Sequence, residues 1–195
     1  MPSLTNPETL IAELISGDDQ RAEQAALQIG AAGNAALDWL RPLITAQQPD
    51  RRWWAARTLS RIRSTAAIQE LIHLLNDPDI DVRACAAYAL GESQAVSAIE
   101  AIAQLLNDSS VFVSAMAADA LAHIGQSSVP LLIEKLKHGT ALERTRSAKA
   151  LSTILDPSSI PALIAALDDD SPVVEHYASE ALTRLGVGTI LVKPQ

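Results

Sequence analysis

The sequence has few of the residues that stabilise small secreted or β-rich domains. It contains one cysteine, Cys85, and aromatic residues make up only 3% of the chain. A single cysteine excludes an internal disulfide, and the shortage of aromatic residues disfavours a β-sandwich. Alanine and leucine dominate the 48% apolar content instead, which predicts an all-helical protein.

Long apolar runs and targeting signals are also missing. No segment approaches the roughly 20 apolar residues that a transmembrane helix requires. The first ten residues, MPSLTNPETL, lack the basic start and apolar stretch of a secretory signal. We therefore expect a cytoplasmic protein that does not enter a membrane.

Basic residues are outnumbered by acidic ones, and the motifs of common enzymes are absent. The net charge of −8 argues against nonspecific nucleic-acid binding, which needs a positive surface. There is no glycine-rich phosphate loop, no G-x-S-x-G elbow and no HExxH helix. The four histidines lack a metal-ligand spacing. The sequence thus predicts no catalytic residues, no metal and no cofactor.

A unit of about 31 residues recurs along the chain. The segment VRACAAYAL, which ends at Leu90, recurs as VSAMAADAL, which ends at Leu121. Looser copies lie around Leu27, Leu59, Leu151 and Leu182, so that successive spacings are 32, 31, 31, 30 and 31 residues. Each copy follows another apolar segment, and these end at Leu14, Leu43, Leu75, Leu106, Leu136 and Leu167. The period predicts six helix pairs.

Within each pair, the second helix presents small residues to its neighbours. In the third pair its inward positions are Val82, Ala86, Ala89 and Leu90. The turn before it, from Asn76 to Asp79, offers side-chain acceptors to the unpaired amides of this helix. Asp77, Asp79 and Asp81 also imitate a calcium loop, but Val82 stands where that loop needs glycine. Helix capping is the favoured interpretation.

The period divides the chain into one domain with a short tail. The predicted domain spans residues 1–188, with repeats at approximately 6–33, 34–64, 65–94, 95–126, 127–157 and 158–188. Residues 189–195 form an apolar tail outside the periodicity, which either covers the last repeat or mediates self-association. A repeat cannot bury its apolar face alone, so stability comes from stacked neighbours.

The segment LLNDPDIDVR followed by Ala89-Leu90-Gly91 resembles the HEAT-like repeat of the phycobilisome (PBS) lyase family. The match is close over residues 66–125 and looser elsewhere. This resemblance implies an all-α, right-handed α-α superhelix, an α-solenoid, whose second helices line the concave side. It implies protein recognition as the function, and in some members the attachment or removal of bilins on phycobiliproteins. Ser114 and Glu175 replace the arginine of the repeat, which Arg52, Arg83 and Arg144 retain.

If the second helices line the concave face, three positions of each should point outward: five and two residues before the repeated leucine, and two after it. This strip includes Cys85 and also Thr153, Glu180 and Arg184. The candidate partner-binding residues are Trp53, Trp54, Arg57, Arg61, Tyr88, Glu92, Met116, Asp119, His123, Arg146, Lys149 and Tyr177. Trp53 is included because it adjoins Trp54.

Trp53 and Trp54 lie in a basic segment, since residues 51–69 contain no acid. Tryptophan and arginine are favoured interface anchors. Alternatively, one tryptophan packs between repeats and the arginines pair with Asp50, Glu70 or other nearby acids. Cys85 is either a reactive thiol on this face or a small apolar filler, and His123 with Asp119 is either an active dyad or an ordinary surface pair.

Three functions remain open from the sequence. The first is a noncatalytic adaptor that binds another protein on its concave face. The second, which depends on the resemblance, is an accessory subunit of a bilin lyase or another tetrapyrrole-handling protein, with a bilin or phycobiliprotein as partner. The third is nucleic-acid binding through the segment from Arg51 to Arg63, which the negative net charge opposes.

Overall fold

The computed structural model describes residues 6–187, and all regular secondary structure in this part of the chain is helical. The tail at 189–195, with its predicted self-association, lies outside the described residues. Within residues 6–187 no helix has both the length and the apolar character needed to cross a bilayer.

Twelve α-helices occupy the described residues, in six consecutive pairs. They are α1 (Pro7–Leu14), α2 (Asp19–Ala31), α3 (Ala36–Ile44), α4 (Pro49–Ile62), α5 (Thr65–Leu74), α6 (Ile80–Glu92), α7 (Ile99–Gln104), α8 (Val111–Ile124), α9 (Val129–His138), α10 (Ala141–Ile154), α11 (Ile160–Ala165) and α12 (Pro172–Arg184). Short 3₁₀ turns precede or extend several of the first helices, as at Val96–Ala98 and Leu105–Asn107.

The chain forms two compact units, one extending through Ala98 and the other beginning at Ile99. In the first unit, α4 lies between α2 and α6 and packs against both. In the second unit, α10 packs in the same way against α8 and α12. Each second helix therefore has another second helix as its neighbour, as expected for stacked repeats.

The small residues of the second helices are buried, as the sequence predicted. Val82, Ala86, Ala89 and Leu90 are at most 1% exposed. The repeated leucines Leu59, Leu121, Leu151 and Leu182 are buried equally well. The capping interpretation also holds, because Asp79 accepts hydrogen bonds from the amides of Asp81 and Val82.

The prediction for the first repeat was wrong by two residues. Leu27 is 44% exposed, and Ile29 is buried in its place. The buried series therefore begins at Ile29, which precedes Leu59 by 30 residues. With this correction, Leu27 occupies the outward position that Arg57 and Tyr88 occupy in the next two second helices.

Candidate functional site

The candidate residues of the first unit lie on α4 and α6. Trp54, Arg57 and Arg61 follow one another at spacings of three and four, so they share one face of α4. All three are half-buried. On α6, Tyr88 and Glu92 are exposed, as the strip predicted.

Cys85 does not belong to this exposed face, contrary to its predicted position. Its side chain is 8% exposed, and its sulfur lies 3.8 Å from the carbonyl oxygen of Trp53. Burial raises the pKa of the Cys85 thiol to about 12, although the charge of Arg57 opposes this shift. Burial and the raised pKa therefore favour the interpretation of Cys85 as a small apolar filler over that of a reactive thiol.

The two tryptophans contact each other at the start of α4. Their ring centroids lie 4.9 Å apart and the ring planes are perpendicular, so the edge of one ring meets the face of the other. They line a groove of about 480 Å³, which we call the tryptophan groove. Its other lining residues are Ile15, Gly17, Asp19, Gln48, Asp50 and Arg51.

Arg57 and Arg61 share one carboxylate, that of Glu23 on α2. Arg57 donates from Nε and Nη2 to the two carboxylate oxygens at 3.3 and 3.2 Å, and Arg61 donates from Nη2 to Oε1. The sequence suggested Asp50, Glu70 or other nearby acids as partners of the arginines, and the partner of these two is Glu23. These hydrogen bonds restrain both guanidiniums on the surface of α4.

A second groove lies toward the end of α4 and brings four of the candidate residues together. Its volume is about 400 Å³, and we call it the arginine groove; it is lined by Arg57, Ser60, Arg61, Arg63, Tyr88 and Glu92. Arg63 ends α4 in a left-handed backbone conformation, with φ of 51°, and its side chain is exposed. Tyr88 is 41% exposed at the groove surface.

The arginines at the start of the second helices form structural clamps. Arg52 donates to both carboxylate oxygens of Asp77 at 2.7 and 2.8 Å, and also to the carbonyl oxygens of Ala46 and Gln47. In the second unit, Arg144 makes the equivalent pair with Asp169 at 2.7 and 3.1 Å. Each clamp joins one helix pair to the turn of the next pair.

In the second unit the candidate residues lie on three neighbouring helices. Lys149 of α10 donates to the carboxylate of Asp119 on α8 at 2.8 Å, so these two candidates neutralise each other. Arg146 reaches Ser114 Oγ at 3.2 Å and the Val111 carbonyl oxygen at 3.0 Å. Arg146 thus bonds the α8 residue that replaces the repeat arginine.

The remaining candidates of this unit differ in exposure. His123 is exposed on α8, whereas Met116 is half-buried on the same helix. Tyr177 of α12 is half-buried, and its ring centroid lies 5.5 Å from that of His176. Within residues 6–187 no cluster of histidine, cysteine or acidic side chains has the arrangement of a metal site.

Sequence reasoning missed one contributor to the first unit's site and misassigned one exposed residue of α2. Glu23 was not among the candidate residues, although it accepts hydrogen bonds from Arg57 and Arg61. Leu27 was assigned to the core. No sequence signal identifies either one, because Leu27 and Ile29 both fit a helical face and Glu23 lies 34 and 38 residues from the arginines that it binds.

Family profiles match most of this helical array. A profile of HEAT repeats matches residues 7–90 and 68–152, and a profile of the PBS lyase HEAT-like repeat matches residues 143–169. The chain belongs to the HEAT repeat family. The predicted family resemblance and the α-solenoid fold class are thus confirmed.

Solved structures of other helical-repeat proteins resemble this HEAT repeat protein over nearly its whole length. A chain from the complex of CpcE and CpcF of phycocyanin lyase from Nostoc sp. PCC7120 is 26% identical, with a TM-score of 0.54 over 95% of this chain and 79% of that chain. YibA of Escherichia coli is 20% identical, with a TM-score of 0.63 over 94% of this chain and 72% of that one.

A designed armadillo repeat protein is 19% identical, with a TM-score of 0.52 over 93% of this chain and 100% of the other. At these identities, YibA and the designed protein show the fold alone. A comparison with curated proteins finds no match. The HEAT repeat fold is one that commonly serves as a scaffold for protein interactions.

Proposed function

We propose that this HEAT repeat protein is a noncatalytic scaffold that binds another protein along the outward faces of its second helices. The observation that carries the proposal is the arginine groove. Its lining includes four of the candidate residues, Arg57, Arg61, Tyr88 and Glu92, and this supports the proposal. The principal contact of the partner is assigned to this groove.

The side chains of the arginine groove suit a protein interface. Tyrosine and arginine contribute most strongly to binding energy when a partner covers them. Arg57 and Arg61 are held by Glu23, so binding costs little side-chain entropy at these positions. Arg63 adds an exposed guanidinium, which favours an acidic residue in the bound segment.

The candidate residues of the second unit are proposed as weaker contacts. Met116 and Tyr177 supply apolar area, whereas Asp119 and Lys149 already satisfy each other. Exposed ion pairs of this kind add little binding energy but exclude wrongly charged partners. His123 and Arg146 belong to the same proposed contact area within the second unit.

The segment from Arg51 to Arg63 supports a protein partner better than a nucleic acid. Arg52, Arg57 and Arg61 each pair with a carboxylate of the same chain. Nucleic-acid affinity depends on cations that are free to neutralise phosphates. These ion pairs reduce the positive potential that nucleic-acid binding by this segment would require.

The scaffold proposal is tested by partner capture with variants that leave the packing intact. Proteins retained by the wild-type chain are identified by mass spectrometry, and their affinities are then measured with purified components. The double variant Arg63→Gln/Tyr88→Ala should weaken binding about tenfold or more. The matched control is Arg41→Gln, which removes one exposed charge from α3. Equal affinities of the wild type and the double variant would reject the arginine groove.

A role in bilin attachment is the second candidate, and one observation favours it. The chain from the phycocyanin lyase complex is 26% identical over 95% of this protein. An accessory subunit would bind bilin or phycobiliprotein through the same second-helix faces. Purified protein is mixed with bilin and an apo-phycobiliprotein, and visible absorbance and comigration are recorded. The absence of both a spectral change and comigration would exclude this candidate.

A further inference from the structure

The tryptophan groove has a chemistry that the repeat itself does not require. One period after Trp53 and Trp54, the corresponding residues are Ala84 and Cys85, both of which are buried. The same fold is therefore built with small side chains at these positions. The tryptophans project from α4 as half-buried rings and form the wall of an open groove.

Two carboxylates line the same groove as the tryptophans. Asp19 and Asp50 lie in the first turns of α2 and α4 and are exposed. Neither carboxylate forms an ion pair with another residue in the described part of the chain.

The lining of the groove carries a net negative charge. Asp19 and Asp50 contribute two negative charges, and Arg51 contributes one positive charge. The faces of the indole rings add negative potential through their quadrupoles. An aromatic wall beside carboxylates attracts a cation that also has a flat or apolar surface.

We propose that the tryptophan groove binds the guanidinium of an arginine side chain presented by a protein partner. Guanidinium is planar, so it can stack on an indole while its N–H groups reach carboxylates. Gln48 offers an additional acceptor beside Asp50. That a protein partner supplies the arginine rests on the proposed scaffold function. The inference adds which side chain of that partner the groove recognises.

The test uses N-acetyl-arginine N-methylamide as the probe and the full-length protein. The chain has three tryptophans, so its NMR spectrum contains three indole N–H signals, which Trp→Phe variants assign. We expect saturable shifts of the Trp53 and Trp54 signals, while Trp39 on α3 remains unchanged. The neutral citrulline analogue should bind about tenfold more weakly.

Two variants of the tryptophan groove should change its affinity for arginine in opposite directions. Asp19→Asn/Asp50→Asn should weaken arginine binding about tenfold, because it removes both carboxylates. The double change Asp38→Asn/Asp168→Asn is the matched control, since both residues are exposed and lie outside the groove. Arg51→Ala should tighten binding, because it removes the cation that the groove already contains.

Several results would overturn the inference. These are the absence of a saturable shift, equal binding of the citrulline analogue, or equal weakening by the control. Binding of tetramethylammonium as tight as that of the arginine probe would assign the groove to quaternary ammonium groups instead. If the protein captures a partner but does not bind the arginine probe, this inference is rejected and the scaffold proposal still stands.

Discussion

At the scale of the residue, the clamp between Arg52 and Asp77 is a well-buried ion pair. The two side chains are 12% and 4% exposed. Their bidentate hydrogen bonds offset the cost of removing both charges from water. Removing one partner leaves the other charge buried without compensation.

We therefore expect Arg52→Met to lower the free energy of unfolding by roughly 3 kcal/mol. Urea denaturation followed by the helical circular dichroism signal measures this change. The control is Arg41→Met, because Arg41 and Asp38 form an exposed pair, at 68% and 79% exposure, that contributes less than about 1 kcal/mol. Equal losses in the two variants would contradict a special role of the buried clamp.

The same pair predicts a pH dependence. Burial tends to raise the pKa of Asp77, but hydrogen bonds from Arg52 and the Asp79 amide outweigh burial and lower the pKa below 3.8. A carboxyl with a lowered pKa in the folded state stabilises the fold above its unfolded pKa, and this stability is lost as pH falls through the folded pKa. The stability difference between wild type and Asp77→Asn should be constant near neutral pH and shrink below about pH 4. A difference that persists at lower pH would show that charge is not its cause.

Cys85 gives another prediction at this scale. Because the thiol is buried and its pKa is raised to about 12, we expect a thiol reagent to modify it very slowly in native protein at pH 8. Unfolding in urea should make labelling fast and stoichiometric. Rapid labelling without urea would mean that the thiol is accessible. The sequence could not distinguish these states, because its 31-residue register does not reveal that the Trp53 carbonyl oxygen lies beside the Cys85 sulfur.

At the scale of the element, α10 begins with the most complete cap among the described helices. Thr140 accepts a hydrogen bond from the Glu143 amide at 3.3 Å, and Glu143 accepts one from the Thr140 amide at 2.8 Å. Lys135 also donates to Glu143 at 2.9 Å, which ties the cap to α9. Reciprocal bonds of this kind satisfy amides that the helix leaves unpaired.

Replacing Thr140 with alanine should lower the free energy of unfolding by about 1 kcal/mol. Urea denaturation provides the measurement, and Thr153→Ala on the exposed surface of the same helix is the control. That control changes stability little, because alanine raises helix propensity where Thr153 makes only an exposed bond to Lys149. If both variants lost the same stability, the cap would have no particular role.

Sequence periodicity located the helix pairs well, because the same leucine and alanine pattern is buried in each second helix. It failed in the first repeat, where Leu27 and Ile29 both fit a helical face and only packing against α4 selects Ile29. The hydrogen-bond partners of the arginine side chains could not be predicted from the sequence either. Glu23 lies 34 and 38 residues from Arg57 and Arg61, and several acids at similar distances along the chain could have served.

At the scale of the whole molecule, stability should depend on the number of helix pairs. In the second unit α10 packs against α8 and α12, so each second helix is stabilised by its nearest neighbours. For such arrays the free energy of unfolding is approximately a sum of repeat and interface contributions. The slope of unfolding free energy against urea concentration is likewise proportional to the surface area that becomes exposed on unfolding.

Deleting the predicted fifth repeat, 127–157, removes 31 of 195 residues, which is one repeat period. Gln126 is then joined directly to Ser158. We expect the shortened chain to remain helical and to unfold cooperatively, with a urea slope lower by about a sixth. Its α8 would then meet α12, and both present buried alanines and a leucine at the same repeat positions, which makes this packing acceptable. Circular dichroism during urea denaturation tests this expectation. Loss of all helical signal would show that the repeats depend on particular neighbours and not simply on a stacked partner of the same pattern.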